Sequence, residues 1–454
     1  MAELVHRKRA CSVNPLKTSA PLGAALAYLG IEGAVPLLHG AQGCASFGLV
    51  LAVRHFREAI PIQTTAMSEV SAILGGSENL EEALTVIQGR MKPRFIGVAS
   101  TALTETRAED FAGTLKELLA RRQELAGTAV VFASTPDFEG GLEDGWALAT
   151  SAIIDALVEP PPAARLASRR VNVLPGVHLT PADLDEVRET IEAFGLEPVF
   201  LPDLSGSLDG HVPAAYVGTS LGGTLLADIA RMGQAVHTIA IGEQMRAPAE
   251  RLHRRTGGPY TVLAGLTGLE PTDRLVSLLG RLSGQSAPPA LRRRRSQLVD
   301  AMLDGHFALS GQRLAIAGDP DLLTALVTCV VGLGAEVTVA VASTDASPAL
   351  HELPCAEVLV GDLGDLEEAA AARGVDLLIA SGHGQPTATR LGVPLFRAGF
   401  PIVDRVGTSH RLSVGYRGTR TLVLELANLL LAAHDAPFTH PHEVPHVPAT
   451  APGP

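Results

Sequence analysis

At 454 residues the chain has room for about three domains of roughly 150 residues each. With 46% hydrophobic residues it has a globular composition, which excludes disorder over most of its length. A net charge of −12 and only 4% aromatic residues argue against a nucleic-acid binder, which needs a basic face.

The chain reads as a cytoplasmic protein without a membrane segment. The apolar run from Ala20 to Leu38 follows the basic His6-Arg7-Lys8-Arg9 and imitates a signal peptide. Glu32 and Pro36 interrupt it, however, and Gly23, Gly30 and Gly33 punctuate it. The run Thr421–Ala433 carries Glu425 and is too short to span a bilayer, so it reads as a buried helix.

In chain order, buried strands are predicted at Val35–His39, Phe95–Ser100 and Val130–Ser134, then at Val171–Pro175, Pro198–Pro202 and Thr238–Gly242. Further strands follow at Leu314–Gly318, Glu336–Ser343, Glu357–Asp362 and Leu377–Ser381. They are mostly continuous apolar runs, the pattern of parallel strands covered on both faces. Thr180-Pro181-Ala182-Asp183 and Asp319-Pro320-Asp321 are helix starts, each offering an N-cap, a proline in the first turn and an acid. Proline-rich Glu159–Pro162 and the stretch Ser283–Pro289 read as linkers. The expected division is a first α/β domain over 1–159, a second over 160–287, a third over 288–434 and a Pro/His-rich tail over 435–454. The fold class is α/β, with three Rossmann-like doubly wound domains and mainly parallel sheets. Ligands in such domains sit beyond the carboxyl ends of the strands.

Several literal motifs lack their context. Gly-Lys never occurs, so there is no Walker A loop, and no G-x-G-x-x-G follows a strand. Gly218-Thr219-Ser220-Leu221-Gly222 spells a nucleophile elbow, but no acid and histidine can be assigned to it. It reads as a glycine-rich helix entry. His442-Glu443-Val444-Pro445-His446 spells a zinc motif that works only on a helix, and Pro445 sits inside it. The run Arg292–Arg295 reads as the solvated start of a helix through Met302.

The four cysteines, Cys11, Cys44, Cys329 and Cys355, are too scattered for a disulfide framework or a self-contained four-cysteine metal site. Cys329 lies in the apolar Leu322–Val331 helix and reads as core. Cys44 differs. It follows the first strand and a turn containing Gly40 and Gly43, ahead of a helix expected over Leu49–Arg57. A helix N-terminus stabilises a thiolate, the form that ligates metal. One cysteine cannot hold an iron–sulfur cluster, so a cluster at Cys44 implies a partner chain and an interfacial site.

Asn14–Lys17 through Pro21–Ala24, His39-Gly40 through Gly43-Cys44, and Arg54–Glu58 resemble the nitrogenase component 1 superfamily. So do Leu103–Thr106, Ser134–Phe138, Leu201–Gly210, Asp300–Phe307, Gly361–Glu368 and Arg397–Asp404. The similarity runs over nearly the whole chain and is strongest to the β-like subunits of the cofactor-assembly scaffold within that superfamily. The resemblance implies three Rossmann-like domains and a NifE-type partner in an α2β2-type heterotetramer. It implies a role in maturing the iron-molybdenum cofactor precursor, which the partner mainly binds. NifB would supply the iron–sulfur core, the nitrogenase iron protein would act during maturation, and apo-nitrogenase would receive the product. Cys44 would be this chain's one ligand to a [4Fe–4S] cluster completed by three partner cysteines. Gly40 and Gly43 would place backbone near the cluster, and His39 would be a candidate for a supporting role behind it.

The rival reading is a β-type subunit of a nitrogenase-like reductase. The catalytic β subunit of nitrogenase carries three cluster cysteines, of which the second matches Cys44. Where the others fall, this chain has Ser19 and Ala102. Serine and alanine do not replace bridging thiolates, whereas one thiolate suits a shared four-iron cluster. No catalytic residue is assigned. His383 and Asp137, each just after a strand, are expected in structural roles.

Overall fold

A computed structural model describes residues 2–6, 12, 14–106, 110–161, 168–208 and 213–434. Cys11, Pro162 and the tail 435–454, with its histidine motif, lie outside the described residues.

Three parallel sheets organise the chain. β1 (Glu3–His6) starts the chain and belongs to the last of them, pairing Leu4 with Val358. The first sheet has the order β3-β2-β4-β5, from β2 (Ala34–His39), β3 (Gln63–Thr64), β4 (Phe95–Ser100) and β5 (Ala129–Ala133). Every residue of β2 and β4 is buried, as their unbroken apolar runs require. Their register pairs Leu38 with Ala99 and His39 with Ser100, so their carboxyl ends lie side by side. The second sheet, β7-β6-β8-β9, comprises β6 (Arg170–Pro175), β7 (Glu197–Phe200), β8 (His237–Ile241) and β9 (Tyr260–Leu263). The third runs β1-β12-β11-β10-β13-β14, from β10 (Arg313–Gly318), β11 (Glu336–Ala342), β12 (Glu357–Val360), β13 (Leu377–Ala380) and β14 (Leu395–Arg397).

The Ala20–Leu38 run that imitates a signal peptide folds as α1 (Ala20–Leu29), every residue of it buried, followed by the central strand β2. α1 lies against the helix Leu142–Leu157 with no room for side chains at the crossing. A Cβ on Gly23 would overlap the Leu142 carbonyl, and one on Gly145 would overlap that of Ala20. Trp146, buried beside this crossing, donates from its indole N–H to the Pro175 carbonyl at 2.8 Å and so reaches the end of β6.

Thr180 caps the helix Pro181–Glu192 as expected, accepting from the Asp183 N–H at 3.1 Å. Asp183 in turn accepts from the N–H groups of Ser413 (2.7 Å) and Val414 (3.1 Å), tying the second sheet's helix to the start of the C-terminal helix Gly415–His434. Asp319 does not cap the helix Pro320–Gly332; its carboxylate accepts from the Ser343 hydroxyl instead. Of the arginine run, Arg295 pairs with Asp273 at 2.8 Å and Arg294 lies 3.8 Å from Glu186, so part of that face is paired rather than merely solvated. Among the described residues, no helix is long and apolar enough to cross a membrane.

α2 (Gln42–Phe56) is anchored at its far end by His55, which is buried. Its Nδ1 accepts from the Ile402 N–H at 2.9 Å, a bond that only the neutral ring with Nδ1 unprotonated can make. Burial pushes this imidazole from 6.5 down to about 4. The unfolded chain takes up the proton and the folded one does not. The neutral ring's stability is therefore whole above about pH 6.5 and is lost as the pH falls toward about 4. His55→Gln should remove about 2 kcal/mol of acid sensitivity between pH 7 and pH 5, read as a smaller drop in thermal midpoint over that range than in the parent.

Candidate functional site

The site grows from the carboxyl ends of the first sheet. After β2 the chain turns through Gly40 and Ala41, and α2 starts at Gln42, earlier than the residues around Leu49 suggest. Cys44 therefore sits in the first helical turn, with its N–H bonded to the Ala41 carbonyl at 3.2 Å. Ala45, Gly48 and Ala52 face inward, whereas Cys44 and the apolar Phe47 (80% exposed) and Val50 (52% exposed) face outward. An exposed thiol thus lies on a helix face that also exposes large apolar side chains.

The thiol is not a ready-made thiolate. Partial burial and the nearby Asp137 carboxylate push it up, against a smaller opposing effect of the backbone N–H groups of Ala41 and Cys44. The helix N-terminus alone does not ionise it, contrary to the expectation from its position. A coordinated metal would, because a ligating thiol is deprotonated by the metal's charge.

The other two positions compared with Cys44 lie at helix starts as well. Ser19 is the N-cap of α1, and Ala102 opens the short helix Ala102–Glu105 after β4. Asp137, after β5, links them. It accepts from the Ala102 N–H and feels the charge of Lys17 as well as Cys44. Burial raises its carboxyl, and Oδ1 is buried without a hydrogen-bond partner. Asp137 is thus more than a turn residue, and no local motif announces that it meets Cys44. Lys17, Ser19 and Asp137 line a groove of about 480 Å³, with Ser343 and Asp362 on its far wall.

His39 is buried, and Thr65, Phe111 and Gly76 hold its ring. Nδ1 lies 3.0 Å from Thr65 Oγ1, the Phe111 ring packs edge-on at 4.6 Å, and a Cβ on Gly76 would come 2.9 Å from Nε2. Burial pushes the imidazole down to about 4, and Nε2 has no hydrogen-bond partner. The His39 carbonyl accepts from the hydroxyls of Thr101 (3.0 Å) and Thr104 (3.2 Å), which fixes the Cys44 turn against the Ala102 turn.

The two glycines of the turn differ. A Cβ on Gly40 would run into Thr101, whereas one on Gly43 would meet nothing within 4 Å. Gly40 is needed for packing, and Gly43 faces open space. Gly40→Ala should therefore lower stability by about 1–3 kcal/mol in urea denaturation. Gly43→Ala, inside a helical turn, should leave it unchanged or raise it by about 0.5–1 kcal/mol.

The remaining sequence candidates have other surroundings. Cys329 is buried and its thiol pushed up to about 12. The Cys355 thiol lies 3.5 Å from the Glu357 carbonyl. Ser220 is buried and clips two strand-end groups, bonding the Ile31 carbonyl (2.5 Å) and the Ala34 N–H (2.8 Å). Its segment is a loop rather than a helix entry, because the following helix spans only Leu226–Ala230. His383 sits in a single turn after β13, lowered by burial and by Arg54.

Three parallel sheets, with the chemistry gathered at strand ends and helix starts, define a nitrogenase-type architecture. The family described as nitrogenase component 1 type oxidoreductase matches residues 19–431, and the chain belongs to it. A chain of the solved structure "Nitrogenase Cp1 at pH 6.5" superposes with a TM-score of 0.90 at 30% identity, covering 96% of this chain and 97% of that one. Within the family the chain is similar to proteins named nitrogenase iron-molybdenum cofactor biosynthesis protein NifN. It is 53% identical to that of Rhodobacter capsulatus over the full length of both. It is 51% identical to that of Mesorhizobium japonicum, covering 96% and 95% of the two chains. To that of Klebsiella pneumoniae it is 38% identical, covering 96% and 94%.

Proposed function

We propose that this chain is one subunit of a cytoplasmic scaffold on which an iron-molybdenum cofactor precursor matures before transfer to apo-nitrogenase. On this reading it pairs with a NifE-type subunit in an α2β2-type heterotetramer. Cys44, in the first of the units 1–159, 160–287 and 288–434, donates one thiolate to an interfacial [4Fe–4S] cluster. The single observation that carries the reading is the donor set: an exposed Cys44 with Ser19 and Ala102 at the two companion positions. One thiolate cannot hold an eight-iron cluster, but it can complete a four-iron one supplied with three cysteines by a partner.

The surroundings fit that group. Gly43 leaves space beside the thiol, and Phe47 and Val50 give the same face apolar area for a partner to cover. Cluster formation would release the Cys44 proton. Lys17, whose charge acts on Asp137, would offset part of the negative charge that this carboxylate places beside the anionic ligand set. When bound, the cluster would supply one-electron transfer. His39 and Gly40 act on the site through position: the His39 carbonyl and the Gly40 contact with Thr101 set the turn from which Cys44 projects. The precursor itself is cargo held mainly by the partner, delivered by NifB and matured with the nitrogenase iron protein.

Anaerobic co-purification with a NifE-type partner tests this reading. The expected product carries four-iron clusters and reduces neither dinitrogen nor protochlorophyllide. Catalytic reduction by the purified complex would replace the scaffold with a β-type reductase subunit.

A further inference from the structure

A second group of potential ligands lies far from the first sheet's Cys44 turn in sequence. Glu143 stands in the first turn of the helix Leu142–Leu157, His178 in the turn after β6, and Asp321 in the first turn of the helix Pro320–Gly332. Elements attached to all three sheets thus meet here. A carboxylate oxygen of Glu143, one of Asp321 and a ring nitrogen of His178 all lie within 4.8 Å of one another. Glu143 is 3% exposed and Asp321 1%.

The hydrogen bonds leave this group short of positive charge. Asp321 Oδ1 accepts from the Glu243 N–H (2.9 Å) and Oδ2 from that of Gln244 (3.3 Å). The Glu143 oxygens accept from the Asp321 N–H at 3.1 and 3.3 Å. These are single backbone donors shared among four oxygens, each with two lone pairs. Among the described residues, the charges acting most on Glu143 are those of Asp321, Asp319 and Asp144, and on Asp321 those of Glu243 and Asp319, all negative. Burying carboxylates without a cation is costly.

His178 supplies the independent observation. Its Nδ1 is buried and has no hydrogen-bond partner. A neutral imidazole has a lone pair on one ring nitrogen, and an unpartnered ring nitrogen beside two carboxylates is placed to donate it to a cation. The backbone around it is glycine: a Cβ on Gly176 would sit 2.8 Å from Nδ1, and one on Gly242 would fall against Asp321 Oδ2 and 3.3 Å from the imidazole. His178 and Asp319 also line a cavity of about 90 Å³ next to this group.

We propose that Glu143, His178 and Asp321 form a site for one divalent first-row transition cation, which ties the three sheets together at their junction. Metal–ligand bonds of about 2.1 Å set neighbouring ligand atoms roughly 3.0–3.4 Å apart, so side-chain shifts of up to about 1 Å each bring the three atoms onto one ion. An imidazole with two carboxylates suits Mn²⁺, Fe²⁺ or Zn²⁺ better than Ca²⁺. The site is independent of the cluster proposed at Cys44.

The test uses the full-length Cys44→Ala protein, stripped with a chelator and titrated with Mn²⁺, which thiols and other soft donors hold weakly. EPR of free Mn²⁺ should show one equivalent taken up, and Mn²⁺ or Zn²⁺ should raise the thermal midpoint. Glu143→Gln removes one ligand carboxylate, and His178→Gln keeps a polar side chain of similar reach. Each should weaken Mn²⁺ binding by at least about tenfold and abolish the midpoint rise while retaining the parent circular dichroism spectrum. No saturable Mn²⁺ uptake together with no midpoint rise in either metal overturns the site. Uptake that both variants retain also overturns it, since the ion then binds elsewhere. Should one variant fail to fold, the other decides alone.

Discussion

An alanine at Gly145 should lower stability by about 3 kcal/mol or more, seen as an early urea midpoint, although it adds only one methyl group. The new Cβ would overlap the Ala20 carbonyl and stand 2.8 Å from its Cα, so backbone rather than a flexible side chain must give way. α1 is buried along its whole length and cannot swing into solvent. Interiors are packed too densely to absorb such a shift locally. Gly23→Ala should act similarly, since its Cβ would stand 2.9 Å from the Leu142 carbonyl carbon on the facing helix. The two share one crossing, so the double variant should lose less than the sum. Gly89→Ala, inside the helix Ser77–Met91 with nothing within 4 Å, is the control; it should be neutral or stabilising by about 0.5–1 kcal/mol.

This crossing also bears on the site. Ser19 stands just ahead of α1, and Asp137 lies just ahead of the helix Leu142–Leu157, so separating the two helices should loosen the groove that Lys17, Ser19 and Asp137 share.

Much of this architecture was legible from residue order. The ten expected strands all form, within two residues at either end, because buried parallel strands require unbroken apolar runs such as Val35–His39 and Leu314–Gly318. Four strands were not anticipated: Glu3–His6, Gln63–Thr64, Tyr260–Leu263 and Leu395–Arg397. Each has two to four residues and sits at a sheet edge, where one side needs no partner and the apolar run can be short. Glu3–His6 was further hidden because its partner Glu357–Val360 lies at the other end of the chain.

The site divides in the same way. Cys44 after a strand and a glycine turn is a local pattern, so it could be read directly. That Gly40 is closed by Thr101 while Gly43 is open depends on a neighbouring strand end, which no spacing reveals. The meeting of Asp137 with Cys44, Lys17 and Ala102 is likewise a product of sheet order. The position of Cys44 suggested a lowered thiol, but the Asp137 charge and partial burial act the other way.

The second large effect is expected at Cys44 itself. Cys44→Ala removes the only ligand this chain offers in that turn, while Phe47 and Val50 remain to hold a partner. The subunits should still co-purify, but with interfacial iron lost or its signal altered, because one iron corner of the cluster is left without its thiolate. Cys44→Ser, which keeps an oxygen in reach, should retain more iron but alter the cluster's spectrum. Disruption of the fold is not expected from either change, since the thiol is exposed and bonded to no core group.

The most direct measurement is the EPR spectrum and iron content of the dithionite-reduced complex with its NifE-type partner, prepared anaerobically, for the parent and Cys44→Ala side by side. The parent should show a reduced [4Fe–4S] signal that the variant loses or shifts, with a matching fall in iron. A variant that assembles with its partner, keeps its iron and gives the parent's signal would contradict the assignment of Cys44 as a cluster ligand.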